Sequence, residues 1–332
     1  MEEYILNKEV ISDKQGIAIM VLFIIGEVSI LVSGLSAEKD LWIAIILSMI
    51  MILPLIFIYS SLFNIYPNKD LFFIIEKCFG KVIGKIIILL YTWYAFDLVA
   101  LVARDFGQFV NTVSFPETPF IIPTMGIIIL CGWIVKEGIE VIGRWSQLFV
   151  VLPIGLILIT ILLLIPNMNI DNIRPILING MKPVFKGAYE VFIYPLGETV
   201  IFTIALSALQ NKKSISKIYI RSILIGGMFI LIISLAMVLV LGINDASSEY
   251  FPGYKTFTRV SIGKTLQRVE IVASTTFVLG IFVKTSIYLL AASKGIAALF
   301  GFKDYKFIVL PIALLAINLA YFEFESILSF NE

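Results

Sequence analysis

Four charged side chains fall inside otherwise apolar runs of this chain: Glu27, Asp97, Glu198 and Lys284. A charge at the centre of a spanning helix costs about 2.5 to 3.5 kcal/mol on insertion scales, so four of them facing lipid would cost on the order of 10 kcal/mol. They are therefore expected to face one another or a wet cavity. Two of the four stand beside helix breakers, in Gly26-Glu27-Val28-Ser29 and in Tyr194-Pro195-Leu196-Gly197-Glu198. Breaks in corresponding segments of two halves mark a ligand site at the bilayer midplane, where unwound backbone offers free N–H and C=O groups to a small zwitterion or ion. The candidate ligand-binding set is Gly26, Glu27, Val28, Ser29, Tyr194, Pro195, Leu196, Gly197 and Glu198. The positive end of a half-helix at the first break predicts an amino acid carboxylate on the N–H groups of residues 26–29, with its ammonium near the carbonyls of residues 194–197. The competing reading is that Glu27 and Glu198 only cap half-helix N-termini.

Lys284 lies roughly 20 Å into its apolar run at 1.5 Å per residue, below the midplane. Its type and depth predict a tethered cation, a fixed ammonium standing in for a bound ion and pairing with carbonyls or with Glu27. The alternative is a lysine whose stem snorkels toward the inner interface, over about one helical turn. Asp97 shares a helix face with Leu101, Arg104 and Gln108. A direct Asp97–Arg104 bond would have to span two turns, so each needs another partner. Arg104 and Asp105 read as structural residues at the outer interface, and the Tyr91, Trp93, Tyr94 and Phe96 cluster as aromatic packing between helices.

The elements that must position these groups are membrane spans. Hydrophobic residues make up 59% of the 332 and charged residues 15%, far from the roughly quarter-charged soluble average, and the mean hydropathy is +1.00. With about 20 apolar residues per span, nine spans are expected, near 17–35, 41–63, 86–106, 119–135, 145–166, 188–209, 222–243, 271–293 and 307–322. The whole chain, 1–332, then forms a single transmembrane domain, with residues 1–16 as a polar cytoplasmic tail in which Ser12 caps the first helix. Residues 70–79 read as an interfacial amphipathic helix, and residues 244–264 as an outer segment too long for a simple connector, a gate or docking surface.

Enzyme chemistry loses its vocabulary in this composition. The chain has no His, and Cys78 and Cys131 fall apart in sequence, so neither a metal cluster nor a Cys/His nucleophile can be assembled. No disulfide framework, cofactor or metal site is expected. A net charge of +1 gives no basic surface for nucleic acid, and no Gly-rich phosphate loop follows a strand pattern.

Lys and Arg placement sets orientation. With the N-terminus cytoplasmic, the inner segments hold roughly twice the Lys and Arg of the outer ones, and most of the outer ones lie in two long loops where the bias is weak. Five spans separate the two breaks, and because five is odd the two halves enter from opposite sides. The expected fold is an all-α five-plus-five inverted-repeat transporter architecture with interrupted helices 1 and 6, and with the tenth span apparently lacking.

Several runs carry a family resemblance. Phe79-Gly80-Lys81-Val82-Ile83-Gly84-Lys85, Phe115-Pro116-Glu117-Thr118-Pro119, Lys136-Glu137-Gly138-Ile139-Glu140-Val141-Ile142-Gly143-Arg144, Pro195-Leu196-Gly197-Glu198 and Gly280-Ile281-Phe282-Val283-Lys284 together resemble the endospore germination permeases. These are the B subunits of GerA-type nutrient germinant receptors, in the amino acid-polyamine-organocation superfamily. The resemblance covers nearly the entire chain. It implies a multi-pass protein of the spore inner membrane that recognises a small germinant, commonly an amino acid, together with an A-type membrane subunit and a C-type lipoprotein. Glu27 departs from the pattern, standing where the family usually has a small residue. Amino acid permease activity, moving the ligand instead of sensing it, is the alternative function, and a scaffold that has lost its ligand is a third.

Overall fold

Ser12 opens the first helix as the sequence predicts. Its hydroxyl accepts from the Gln15 N–H at 3.3 Å, and the Gln15 side chain accepts from the Ser12 N–H at 2.8 Å, a reciprocal cap. The helix that follows, α1 (Asp13–Val28), is buried on every side from Ala18 onward, the pattern of a central helix and not of one facing lipid on one stripe. In this computed structural model, which describes residues 9–67, 69–211, 214–260 and 269–322, the chain unwinds after Val28 and passes through Gly34, at a φ of 76°. It then enters α2 (Leu41–Met51) and α3 (Leu53–Ile65).

A long helix, α4 (Leu71–Val113), is folded sharply at Gly80, whose φ of 76° and ψ of 176° only glycine adopts without strain. The limb before it doubles back so closely that a Cβ on Gly84 would meet the Glu76 Cα at 2.8 Å. Helix α5 (Ile121–Glu137) is separated by Gly138, at a φ of 106°, from α6 (Ile139–Phe149), which leads into α7 (Val151–Leu164). The second half begins with α8 (Met181–Val191), passes through an irregular helical stretch over Phe192–Leu196 and Gly197–Ile201, and continues as the short α9 (Phe202–Ala205). Helices α10 (Ile215–Leu241), α11 (Ile243–Ser248), α12 (Pro252–Thr258), α13 (Glu270–Phe300) and α14 (Val309–Phe322) complete it.

Among the described residues, six helical stretches are long and apolar enough to cross a membrane: Leu35–Ile65, Leu71–Val113, Ile139–Asn167, Met181–Ala208, Ile215–Leu241 and Glu270–Phe300, with the apolar Lys306–Phe322 shorter. Most outrun the apolar windows of the sequence because helix continues through polar residues, as α4 does through Arg104, Asp105 and Asn111. The first break differs the other way: helix stops at Val28, well short of residue 35. Residues 1–8 of the expected tail and 261–264 of the outer segment lie outside the described residues.

The core is built around α1 and α13, with α4 and α10 packed against them. At their crossing the backbones touch: a Cβ on Gly280 would lie 2.1 Å from the Gly26 Cα. Small residues are what permit so close an approach between membrane helices. At the opposite end of α1, the segment before it closes on the second half through an isolated bridge between Ile11 and Leu209. Ile11 N–H donates to the Ala208 carbonyl at 3.0 Å, Gln210 N–H donates to the Ile11 carbonyl at 2.9 Å, and Tyr305 donates to Glu9 at 2.7 Å. Burial, reinforced by the neighbouring Glu9 carboxylate, holds the Tyr305 phenol above its ordinary value.

Candidate functional site

The two breaks are made differently. After Val28 the chain turns on itself: Ser29 N–H donates to Ile25 and Gly26 carbonyls at 3.2 and 3.3 Å, and the N–H groups of Ile30 and Leu31 reach the Glu27 carbonyl at 3.1 and 3.0 Å. The Ser29 hydroxyl adds a bond to the Gly26 carbonyl at 2.6 Å. The Ile30 carbonyl is capped from outside the helix by the Gly253 N–H of α12 at 2.9 Å. In the second break, Pro195 supplies no N–H and Tyr194 is extended at a φ of −133° and ψ of 120°. That kink turns Tyr194 and Glu198 toward α1.

Between them sits a buried ion cluster. Lys284 is fully buried on α13, and Glu27 and Glu198 are 2% and 6% exposed. The Lys284 ammonium lies 2.7 Å from Glu198 Oε2 and pairs directly with Glu27 Oε2. The same Glu27 oxygen accepts a hydrogen bond from the Tyr194 hydroxyl. Aromatic faces complete the cage, with the ammonium 4.4 Å from the Tyr194 ring centroid, 5.3 Å from Phe23 and 6.0 Å from Tyr288. Burying two charges repays itself only with such close contacts, and removing one partner costs about 3–5 kcal/mol because it strands the other.

The cluster forms one wall of a cavity of about 680 Å³, within the range of small-ligand sites, roughly 300 to 1,000 Å³. Glu27, Tyr194 and Glu198 line it, whereas Lys284 stands behind them. Helix α4 contributes Arg104, Asp105 and Gln108, α8 contributes Glu190, and Tyr250 and Phe251 come from the segment before α12. Arg104 also donates to the Ala320 carbonyl at 3.4 Å and lies 5.4 Å over the Phe120 ring. Glu190 accepts from both the hydroxyl and the N–H of Ser36, just beyond the first break. The arrangement can hold a positively charged group against two carboxylates while the remainder of a small ligand lies on largely apolar walls.

The structure thus brings together Glu27, Tyr194, Glu198 and Lys284 out of the residues picked from sequence. Gly26 is turned the other way, against Gly280, so its place in the site is to let α13 carry Lys284 inward. Val28, Pro195 and Leu196 are buried in the core, and Gly197 packs on the Phe192 carbonyl, 2.7 Å from where its Cβ would be. The N–H groups of Ser29, Ile30 and Leu31 are already used by the chain's own carbonyls. A ligand carboxylate on residues 26–29 would have to displace those bonds, and that placement is set aside. Asp97 is half-buried on α4 and, among the described residues, lies outside the cavity lining. Arg104 is buried, at 4% exposure. Sequence reasoning missed Glu190, Tyr250, Phe251 and Tyr288. Glu190 had a signal, since 190, 194 and 198 recur at a spacing of four, one helical stripe; the aromatic residues had none.

Comparison with known proteins adds a second line. The family described as "Spore germination protein", the spore permeases, matches residues 10–326. The chain belongs to the spore germination permease family. It is 27% identical over 93% of its length to spore germination protein KB of Bacillus subtilis (strain 168), covering 84% of that protein. Spore germination protein XB of Bacillus anthracis is 25% identical over 75% of this chain and 69% of its own. Among solved structures, the nucleobase-cation-symport-1 family transporter Mhp1, in a closed conformation with bromovinylhydantoin bound, superposes with a TM-score of 0.73 over 96% of this chain and 73% of its own, at 12% identity. This spore germination permease therefore has the all-α five-plus-five transporter fold and is a multi-pass membrane protein. Its family and fold are those of membrane receptors and transporters, not of enzymes.

Proposed function

We propose that this chain is the germinant-sensing membrane subunit of a spore nutrient receptor, and that it binds a small amino acid in the cavity between the two broken helices. The observation that carries the reading is the buried Glu27–Lys284–Glu198 cluster at the cavity wall. The ligand's ammonium is placed against Glu27, Tyr194 and Glu198, its side chain on the apolar wall, and its carboxylate toward Arg104 on α4. The subunit's setting is the spore inner membrane, with the N-terminus in the cytoplasm and with an A-type membrane subunit and a C-type lipoprotein as partners; membership of the spore germination family and the Lys and Arg distribution support this reading. Lys284 serves as a tethered cation, so that binding needs no sodium.

The fold likeness to a transporter supports a second reading, an amino acid permease using the same cavity for alternating access. Purified protein in liposomes separates the two. Radiolabelled glycine, L-alanine and L-valine are measured for binding and for counterflow. Saturable binding without flux is the expected result, counterflow by this chain alone selects the permease, and neither binding nor flux for any small amino acid overturns the ligand class.

A further inference from the structure

The ion cluster does not balance. Among the described residues, two carboxylates share one ammonium at a buried site, leaving one excess negative charge, and an uncompensated buried carboxylate is among the costliest groups a protein can hold. The two carboxylates are also unequal. Glu27 Oε2 receives both the Lys284 ammonium and the Tyr194 hydroxyl, which favour its ionised form. Glu198 has the Lys284 ammonium 2.7 Å away, but no hydrogen bond is made to its Oε2 by the described residues.

Among the described residues, the other groups around Glu198 do not supply the missing positive charge. Tyr288 on α13, whose hydroxyl lies beside Glu198, and Tyr94 on α4 are neutral phenols, and Asp105 and Glu190 are further acidic groups on the same cavity. Arg104 lines the cavity from α4 but is held toward the Ala320 carbonyl and the Phe120 ring. The chain has no His to lend a proton.

We infer that Glu198 carries a proton when the cavity is empty and loses it when a ligand's ammonium arrives, so that ligand binding releases one proton into the cavity. The exchange balances: the carboxyl O–H breaks, the proton leaves through the cavity to bulk water, and the ligand's fixed positive charge takes its place against the carboxylate. The net charge of the wall is zero before and after. The inference rests on the ammonium placement proposed above, but its first half concerns the empty protein and can be tested without any ligand.

Infrared spectroscopy of the full-length protein in liposomes reads the carboxylic acid C=O stretch directly. Wild type should show one buried protonated carboxyl that disappears as pH is raised. Glu198→Gln and Glu27→Gln should each lack it, because one carboxylate then balances Lys284. Lys284→Met should gain a second. No such band in wild type, or a band unaffected by both glutamine variants, overturns the inference. The isosteric glutamines keep the shape, and the wild-type pH titration stands even if a variant does not fold.

The second half is read with L-alanine, and with N-acetyl-L-alanine as the probe lacking an ammonium. Calorimetry in buffers of different ionisation enthalpy should give release of about one proton per L-alanine bound to wild type, with affinity rising about tenfold per pH unit while Glu198 is protonated and flat above that. Glu198→Gln should bind with no proton release and a flat pH profile. Binding of L-alanine to wild type with no proton release overturns the exchange. If no amino acid binds while the infrared band is present, the ligand reading fails and the protonated Glu198 stands.

Discussion

The Gly26–Gly280 crossing is the mechanical premise of the site, and a single methyl group tests it. In Gly280→Ala the new Cβ would be 2.1 Å from the Gly26 Cα and 2.9 Å from its backbone nitrogen. Ordinary carbon–carbon contact is about 3.5 to 4.0 Å, so α1 and α13 must separate locally by roughly 1.4 to 1.9 Å. Backbone atoms cannot step aside as a flexible side-chain end would. Lys284 is one turn further along the same face of α13, and Glu27 adjoins Gly26. A separation of that size would stretch the direct Lys284–Glu27 pair, which bridges the two helices, toward the roughly 4 Å limit of an ion pair. Overpacking alone costs about 1–3 kcal/mol, and uncoupling the buried ions adds toward the roughly 3–5 kcal/mol of a stranded charge. Gly280→Ala should therefore unfold at markedly lower temperature in detergent and lose amino acid binding. The control is Gly126→Ala on α5, where a Cβ would meet nothing within 4 Å and alanine gains up to about 1 kcal/mol of helix propensity. A Gly280→Ala protein as stable and as competent in binding as Gly126→Ala would refute the close crossing and the positioning of Lys284 by it.

Lys284→Met strands two acidic groups and should lose about 3–5 kcal/mol of stability; Lys284→Arg keeps the charge but not the fit, because a planar fork replaces a compact ammonium, and full ligand response of Lys284→Met in sodium-free buffer would count against the tethered cation. Gly253→Ala would place a Cβ 2.4 Å from the Ser29 carbonyl oxygen, dislodging α12 from the first break, and titration calorimetry should show weaker amino acid binding with a stability loss of about 1–3 kcal/mol. Tyr305→Phe removes the hydrogen bond to Glu9 and should cost about 1 kcal/mol in chemical unfolding. Because the folded phenol is held above its ordinary value of 10.0, that contribution is present below pH 10.0 and is lost as pH rises beyond it, so the difference between wild type and variant should close only in alkali.

The sequence announced the charges and the breaks because both are expensive in a bilayer. Glu27, Glu198 and Lys284 stand out by insertion cost alone, and Pro195 marks a helix that cannot continue regularly. The direction in which each residue points was not legible. Gly26 and Glu27 are neighbours in the same break, yet one faces the Gly280 backbone and the other the cavity, about 100° around the helix in the usual geometry. Nor could spacing reveal that the N–H groups after Val28 would be consumed by the Ile25, Gly26 and Glu27 carbonyls, since that depends on how sharply the chain turns. The surroundings of Arg104 were hidden for a related reason: its guanidinium is buried against the Ala320 carbonyl and the Phe120 ring, contacts made by helices that spacing along α4 does not reveal. The contributions of Tyr250 and Phe251 depend on a long-range fold-back, Gly253 N–H onto the Ile30 carbonyl, for which no local pattern exists.

The cluster joins three elements that would otherwise be free to move apart: α1 through Glu27, the second break through Tyr194 and Glu198, and α13 through Lys284. A ligand can shift such an assembly between two states only by its difference in affinity for them. Moving a population from 1:99 to 99:1 needs about 5.5 kcal/mol of that difference, while a hydrogen bond to a charged group contributes about 1.5–3 kcal/mol. Three such contacts, to Glu27, Tyr194 and Glu198, sum to about 4.5–9 kcal/mol, so the ammonium end reaches that figure only if nearly all of their strength is confined to one state. A contact kept in both states adds nothing to the difference, and the far side of the cavity, where Arg104 on α4 and Phe251 beside α12 face the same space, offers further contacts. A ligand that bridges the ion cluster and those two helices reaches the full difference more readily than a bare amine, which favours a ligand with two polar ends for a sensor and a permease alike.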